Sequence, residues 1–131
     1  MRILIAEDDF ASRKFMLKFL SKYGECDVTV DGMEAVDAYI MALDADMPYD
    51  LVCLDIMMPT LDGYQALKAI RDIEKDRKLP EEQCSKIIMT TALNEGANVN
   101  KAFDLGCVAY AGKPIDQAKF ENVLRKLDLI S

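Results

Sequence analysis

No run of basic residues occurs anywhere in the 131-residue chain, and the net charge is -7. A surface for nucleic acid or anionic lipid needs the opposite sign, so neither is expected as a direct partner. No apolar run approaches the roughly 20 residues that cross a bilayer. Met1-Arg2 leads straight into Ile3-Leu4-Ile5-Ala6 and then three acids, without the apolar core of a secretion signal. A cytoplasmic location is therefore expected. The four cysteines, Cys26, Cys53, Cys84 and Cys107, stand far apart with no C-x-x-C pair. That spacing argues against zinc or dithiol chemistry and leaves free, buried thiols. There is no repeat, low-complexity segment or linker, and the composition is 51% hydrophobic. One compact domain over residues 1–131, with a core of its own, is the expectation.

What the chain does have is an apolar run, Leu51-Val52-Cys53-Leu54 and Ile56-Met57-Met58, with the carboxylate of Asp55 set inside it. Such a run reads as a strand buried on both faces. Pro59 ends it, and Thr60-Leu61-Asp62-Gly63 turns the chain into a helix. An ionised carboxylate in those surroundings needs a cation or hydrogen-bond donors.

Strands are expected at Ile3–Ala6, Cys26–Val30, Leu51–Leu54, Ile87–Thr90 and Val108–Ala111. Helices are expected at Phe10–Tyr23, Met33–Ala45, Tyr64–Asp76, Glu95–Leu105 and Gln117–Leu127, with 78–85 as loop. Five βα units with crossover helices make an α/β fold, a doubly wound parallel sheet covered on both faces. In such a sheet the ligand crevice lies beyond the carboxyl ends of the strands. Strand one runs into Glu7-Asp8-Asp9, strand three into Asp55, strand four into Thr90-Thr91-Ala92 and strand five into Gly112-Lys113-Pro114. Each piece has a plain alternative: Asp9 and Thr91 as helix caps, Lys113-Pro114 as a turn with a solvated lysine. Together they gather carboxylates, a hydroxyl and an ammonium at one crevice. Clustered carboxylates repel, and a hard divalent cation such as Mg²⁺ relieves them while sharing its shell with a phosphoryl oxygen.

The ordered set Asp8-Asp9, Asp55 with Pro59 four residues on, Asp62-Gly63, Thr91-Ala92, Tyr110 and Lys113-Pro114 resembles the receiver domain of bacterial two-component response regulators, the CheY-like family. The resemblance covers essentially the whole chain. It implies a five-stranded sheet of order 2-1-3-4-5. It also implies Asp55 as acceptor of a phosphoryl group from a phosphohistidine, with Lys113 and the Thr91 hydroxyl on the phosphoryl oxygens. Mg²⁺ would be held by Asp9 directly, by Asp8 partly through water, by Asp55 and by the backbone carbonyl of Met57. The Lys113–Pro114 peptide would be cis, and Thr91 and Tyr110 would form a switch pair.

The chain contains no histidine, so its phosphoryl donor would be another molecule: a sensor histidine kinase, a histidine phosphotransfer protein or a small phosphodonor. It ends just after the fifth helix, so output would come from binding a downstream protein unless the chain is a receiver excised from a longer protein, with pairing to a second copy as a further expectation. Helix one carries an apolar arc of about 200° through Ala11, Phe15, Met16, Leu17, Phe19 and Leu20, wider than the roughly 100° a sheet-packed helix needs. Its outer edge, Phe15 and Phe19, is the expected docking face for the phosphodonor. Asn94, Gly96, Asn98 and Asn100 make the fourth helix weak on propensity. A flavodoxin-type flavin carrier would need a small, uncharged loop where Glu7-Asp8-Asp9 stands. An aspartyl phosphatase would need its nucleophile after strand one with a second Asp two residues later. A binding module that ignores phosphorylation remains the alternative.

Overall fold

In a computed structural model, residues 1–92 and 99–131 are described, the Val99 side chain excepted. The sequence places Leu93, Asn94, Gly96 and Asn98 outside that set. The elements run β1 Arg2–Ala6, α1 Phe10–Leu20, β2 Glu25–Thr29, α2 Gly32–Asp44, β3 Leu51–Asp55, α3 Gly63–Asp76, β4 Lys86–Ala92, α4 Val99–Asp104, β5 Ala109–Lys113 and α5 Gln117–Lys126. The sheet is parallel throughout, in the order β2-β1-β3-β4-β5. Both the class and the strand order match expectation.

Period-2 alternation divides the core in two. Leu4, Ala6, Val52, Leu54, Ile87 and Met89 point to the layer of α2 and α3, where Tyr39, Leu67 and Ile70 are wholly buried. Ile3, Ile5, Leu51, Cys53 and Ile88 point to α1 and α5, where Met16, Phe19, Leu20, Phe120 and Leu124 close the core. With both faces covered, β1, β3 and β4 contain hardly an exposed residue.

The differences from the expected boundaries are local. Strands β4 and β5 each run two residues further, because Thr91 pairs with Gly112 and Ala92 with Lys113 even though glycine and lysine are poor strand formers. The 78–85 connection contains one short 3₁₀ turn, Glu81–Gln83. Helix α1 stops at Leu20, with Ser21 as its cap. Phe19 is only 4% exposed, so it belongs to the core; of the two phenylalanines expected on the docking edge, Phe15 alone, 41% exposed, stays at the surface. Among the described residues no helix is long and apolar enough to cross a membrane.

Candidate phosphoacceptor and metal site

Alternation and register together build the site. Ile3 pairs with Leu51 and Ile5 with Cys53, so Glu7 continues the same face toward Asp55. On β5, Ala109 and Ala111 share that face, and Lys113 follows them. Three charged side chains thus converge on the α1/α5 side of the sheet, at the carboxyl ends of three strands.

Asp55 is 3% exposed. The ammonium of Lys113 lies 3.2 Å from Asp55 Oδ2 and 2.8 Å from Glu7 Oε1. The Met57 amide donates to Asp55 Oδ1 at 3.3 Å. Burial pushes the Asp55 carboxyl up to about 7, and the Glu7 charge adds to the rise against the pull of Lys113. Burial alone would lower Lys113; the Glu7 and Asp55 carboxylates outweigh it and hold its ammonium above the usual range. Glu7 is 1% exposed, and its second oxygen, Oε2, is buried with no partner.

Glu7, Asp8 and Asp55 each bring a carboxylate oxygen to within 4.8 Å of the others. The expected set was Asp8, Asp9 and Asp55; the geometry groups Glu7 with Asp8 and Asp55, and Asp9 lies outside that group. Asp9 instead caps α1: its side chain accepts from the Ser12 amide at 2.9 Å, and that hydrogen bond holds its carboxyl below the usual carboxylate range. The capping geometry turns the exposed Asp9 side chain to its own helix, so Glu7 supplies the buried carboxylate. Its signal in the sequence was the Ile3, Ile5, Glu7 alternation.

The donor set fits a hard divalent cation: three carboxylates, one of which has an orphaned buried oxygen that such an ion would satisfy. Arg13 holds the loop that carries the acids, donating to the Glu7 carbonyl at 2.9 Å and more weakly to that of Asp8 at 3.4 Å. Beyond Asp55, α3 begins with a reciprocal capping box between Asp62 and Gln65. Gly63 packs there against the Asp55–Ile56 backbone so tightly that any Cβ would overlap the Asp55 carbonyl.

Thr91 is buried and sits one residue beyond Thr90, the β4 partner of Asp55. Tyr110 packs against the α2/α3 core layer, and its buried hydroxyl has no hydrogen-bond partner among the described residues. The Lys113–Pro114 peptide is cis. Met57 is 55% exposed at the mouth of the site.

The sequence matches the family described as the response regulator receiver domain over residues 3–125. This chain belongs to that family. The chemotaxis protein CheY of Treponema pallidum is 32% identical over 120 residues, covering 90% of this chain and 76% of CheY. The receiver domain of Ssk1 from Saccharomyces cerevisiae, solved with the histidine phosphotransfer protein Ypd1, superposes with a TM-score of 0.80 at 27% identity, covering 96% of this chain and 87% of that one. The receiver domain of the Arabidopsis thaliana histidine kinase CKI1, solved with Mg²⁺ and BeF₃⁻, gives a TM-score of 0.77 at 26% identity, covering 97% and 89%. Receivers are modules of two-component signalling rather than free-standing enzymes. The chain spans between 5% and 55% of the length of several curated relatives it matches, which include transcriptional regulators and hybrid histidine kinases.

Proposed function

We propose that this receiver is a phosphorylation switch in the cytoplasm, in which Asp55 accepts a phosphoryl group from a phosphohistidine on a sensor kinase or phosphotransfer protein. The observation that carries this reading is the buried Asp55 carboxylate between Lys113 and the Glu7 and Asp8 acids, at the mouth of a parallel sheet. An Asp55 oxygen attacks phosphorus, the phosphorus–nitrogen bond breaks, and the imidazole leaves as the neutral base after taking a proton. Catalysis of such a transfer is mostly positioning and charge neutralisation. Lys113, already 3.2 Å from Asp55, meets the incoming phosphoryl oxygens. Glu7, Asp8, Asp55 and the Met57 carbonyl would hold Mg²⁺, which would supply the remaining positive charge.

The new charge on Asp55 then draws the Thr91 hydroxyl, and Tyr110 responds in the space beside β4. Output passes through α4, β5 and α5, including Lys101, Tyr110 and Lys119, to a downstream protein or a second copy. Phe15, exposed on α1 beside a groove lined by Lys18, Lys22 and Gln117, serves the phosphodonor. The CKI1 and Ssk1 complexes support the cation and the donor class respectively.

Incubation with Mg²⁺ and acetyl phosphate or phosphoramidate, followed by intact mass, tests the core of the reading. One added phosphoryl group is expected, absent from Asp55→Asn and absent without the divalent cation. No adduct, or one that survives Asp55→Asn, would leave only the phosphorylation-independent binding module.

A further inference from the structure

Charge is unevenly placed along this chain. Between Lys22 and Lys68 there are ten Asp or Glu residues and no Lys or Arg. That segment builds β2, α2 and β3, and Glu25, Asp27, Glu34, Asp37 and Asp46 are all exposed on it. Two cations from elsewhere reach this side, and both are engaged. Arg2 pairs with Asp27 at 3.2 Å and covers the Tyr49 ring, and Arg77 pairs with Asp44 at 2.9 Å.

The same flank exposes large apolar side chains. Met41 is 70% exposed, Met47 51% and Val28 42%. They line a groove of about 360 Å³ between β2 and α2, with Ala38 and Ala45 completing its α2 wall. Ala38 and Met41 fall at i and i+3 on one stripe of the helix, which the C-cap Ala45 continues, while the Tyr39 stripe is buried in the core. Small residues along that stripe admit a close neighbour. The two methionines offer flexible, polarisable surface of the kind that adapts to an apolar partner. The groove lies on neither surface invoked for phosphotransfer or output.

We propose that this β2/α2 groove docks a cationic amphipathic helix of a partner protein, with its apolar stripe on Met41, Met47 and Val28 and its Lys or Arg residues facing Asp37 and Asp46. Asp37 and Asp46 each adjoin a lining residue along the chain, Ala38 and Met47, and an apolar groove bordered by such acids selects that chemistry over an acidic or uniformly polar segment. A second copy is the weaker occupant, since two chains of charge -7 repel.

The test uses the full chain with ¹³C-methyl methionine, at saturating Mg²⁺, titrated with a synthetic leucine–lysine helix of about 18 residues, long enough for five turns. Saturable shifts are expected at the Met41 and Met47 methyls, with Met16 and Met89 of the core unmoved. Exchanging Asp37 and Asp46 for Lys should weaken binding by about tenfold, and a same-composition peptide scrambled to remove amphipathicity should lose most of the shift. The Met16 and Met89 signals report that each variant is folded. Shifts centred on Met57 would mean that the peptide is held by the phosphorylation site. Concentration-dependent shifts at Met41 without peptide would mean a second copy. Either result, or unchanged affinity in the charge-exchanged variant, overturns the proposal.

Discussion

Two buried glutamates lie at opposite ends of the sheet and live in opposite environments. Glu74 on α3, 4% exposed, has both oxygens satisfied at the amino-terminal end of β4. Arg71 approaches one at 2.7 Å, and the Ser85 amide, at 2.9 Å, and the Tyr39 hydroxyl donate to the other. Arg71 also donates to the carbonyls of Ser85 and Gly106 at 2.8 and 2.9 Å, so the network ties α3 to the start of β4 and the turn before β5. Burial and the Glu74 acceptor push the Tyr39 phenol well above its usual range. Glu7, at the carboxyl-terminal end, has on one oxygen a lysine it must share with Asp55 and the Asp9 amide at 3.2 Å, and its other oxygen has no partner among the described residues. A buried carboxylate with a complete set of partners is architecture. One left incomplete, beside a second acid whose carboxyl is pushed up to about 7, is held ready for a ligand.

The sharpest way to separate the two ends is to break the complete one. Glu74→Ala leaves Arg71 without its carboxylate and the Tyr39 hydroxyl without its acceptor. Loss of one partner from a buried pair costs about 3–5 kcal/mol. Urea unfolding should show that loss, while the fraction of folded protein that takes a phosphoryl group stays unchanged. A variant of near-native stability would mean that the network does not support the fold.

Asp55→Asn should act in the other direction. In the metal-free protein the folded state holds a proton on Asp55 up to about pH 7, whereas the unfolded chain releases it near 4. The folded state then binds more protons between those values, so stability falls as pH rises from about 4 to about 7 and levels off above. Over about three pH units the fall is on the order of 4 kcal/mol. Asp55→Asn should remove that slope and stabilise the metal-free protein at pH 8, and Mg²⁺ should restore stability to the natural sequence there. Thermal melts across pH, with and without Mg²⁺, measure this. A natural protein whose stability instead climbs through that window would show that Lys113 overcompensates the two acids.

How much of this was legible beforehand differs by element. The apolar runs around Leu4, Val52 and Ile88 announced a buried parallel sheet, because strands covered on both faces need continuous apolar sequence. Strand order did not follow from periodicity, which says nothing about neighbours, and came through the family resemblance. Asp55 and Lys113 were visible as charges at strand ends. Glu7 was passed over because three consecutive acids look interchangeable until alternation is followed along β1. The Arg71–Glu74–Ser85–Tyr39 network was invisible, since it joins one helical pair to residues on α2 and the loop before β4, up to 46 residues apart, and each reads as an ordinary helix or loop residue. Phe19 was misplaced at the surface because the arc on α1 was measured against the sheet alone, while α5 brings Phe120 edge-on at 5.5 Å.

Within the acid cluster itself, Asp9 and Glu7 offer a smaller contrast. Asp9→Ala removes an N-cap and should lower the melting temperature of the metal-free protein, with little change in Mg²⁺ affinity. Glu7→Gln should weaken Mg²⁺ by about tenfold, measured by calorimetry, because it removes the buried charge whose oxygen has no partner. If the two variants exchanged these effects, Asp9 would be the ligand and its contact with Ser12 incidental.

The smallest effect concerns how long the incomplete end stays filled. Hydrolysis of an acyl phosphate on Asp55 needs a water in line with phosphorus, and the residue two beyond the acceptor stands beside that approach. Here it is Met57, which cannot usefully hydrogen-bond a water. The residue two beyond Thr91 is Leu93, outside the described residues and equally apolar in sequence. Slow self-dephosphorylation is therefore expected, with the signal ended by a separate phosphatase or by return of the phosphoryl group to a phosphotransfer protein. Met57 is 55% exposed, so it screens the site only partly and Met57→Asn alone should speed the loss by a few-fold, under about 1 kcal/mol in barrier. Adding Leu93→Glu or Leu93→Lys should extend that gain, since each replaces an apolar side chain with one that can hydrogen-bond a water. Decay of the phosphorylated protein at saturating Mg²⁺ after donor removal is the measurement. Loss within seconds in the natural sequence, or no acceleration in the double variant, would show that access at these two positions does not set the lifetime.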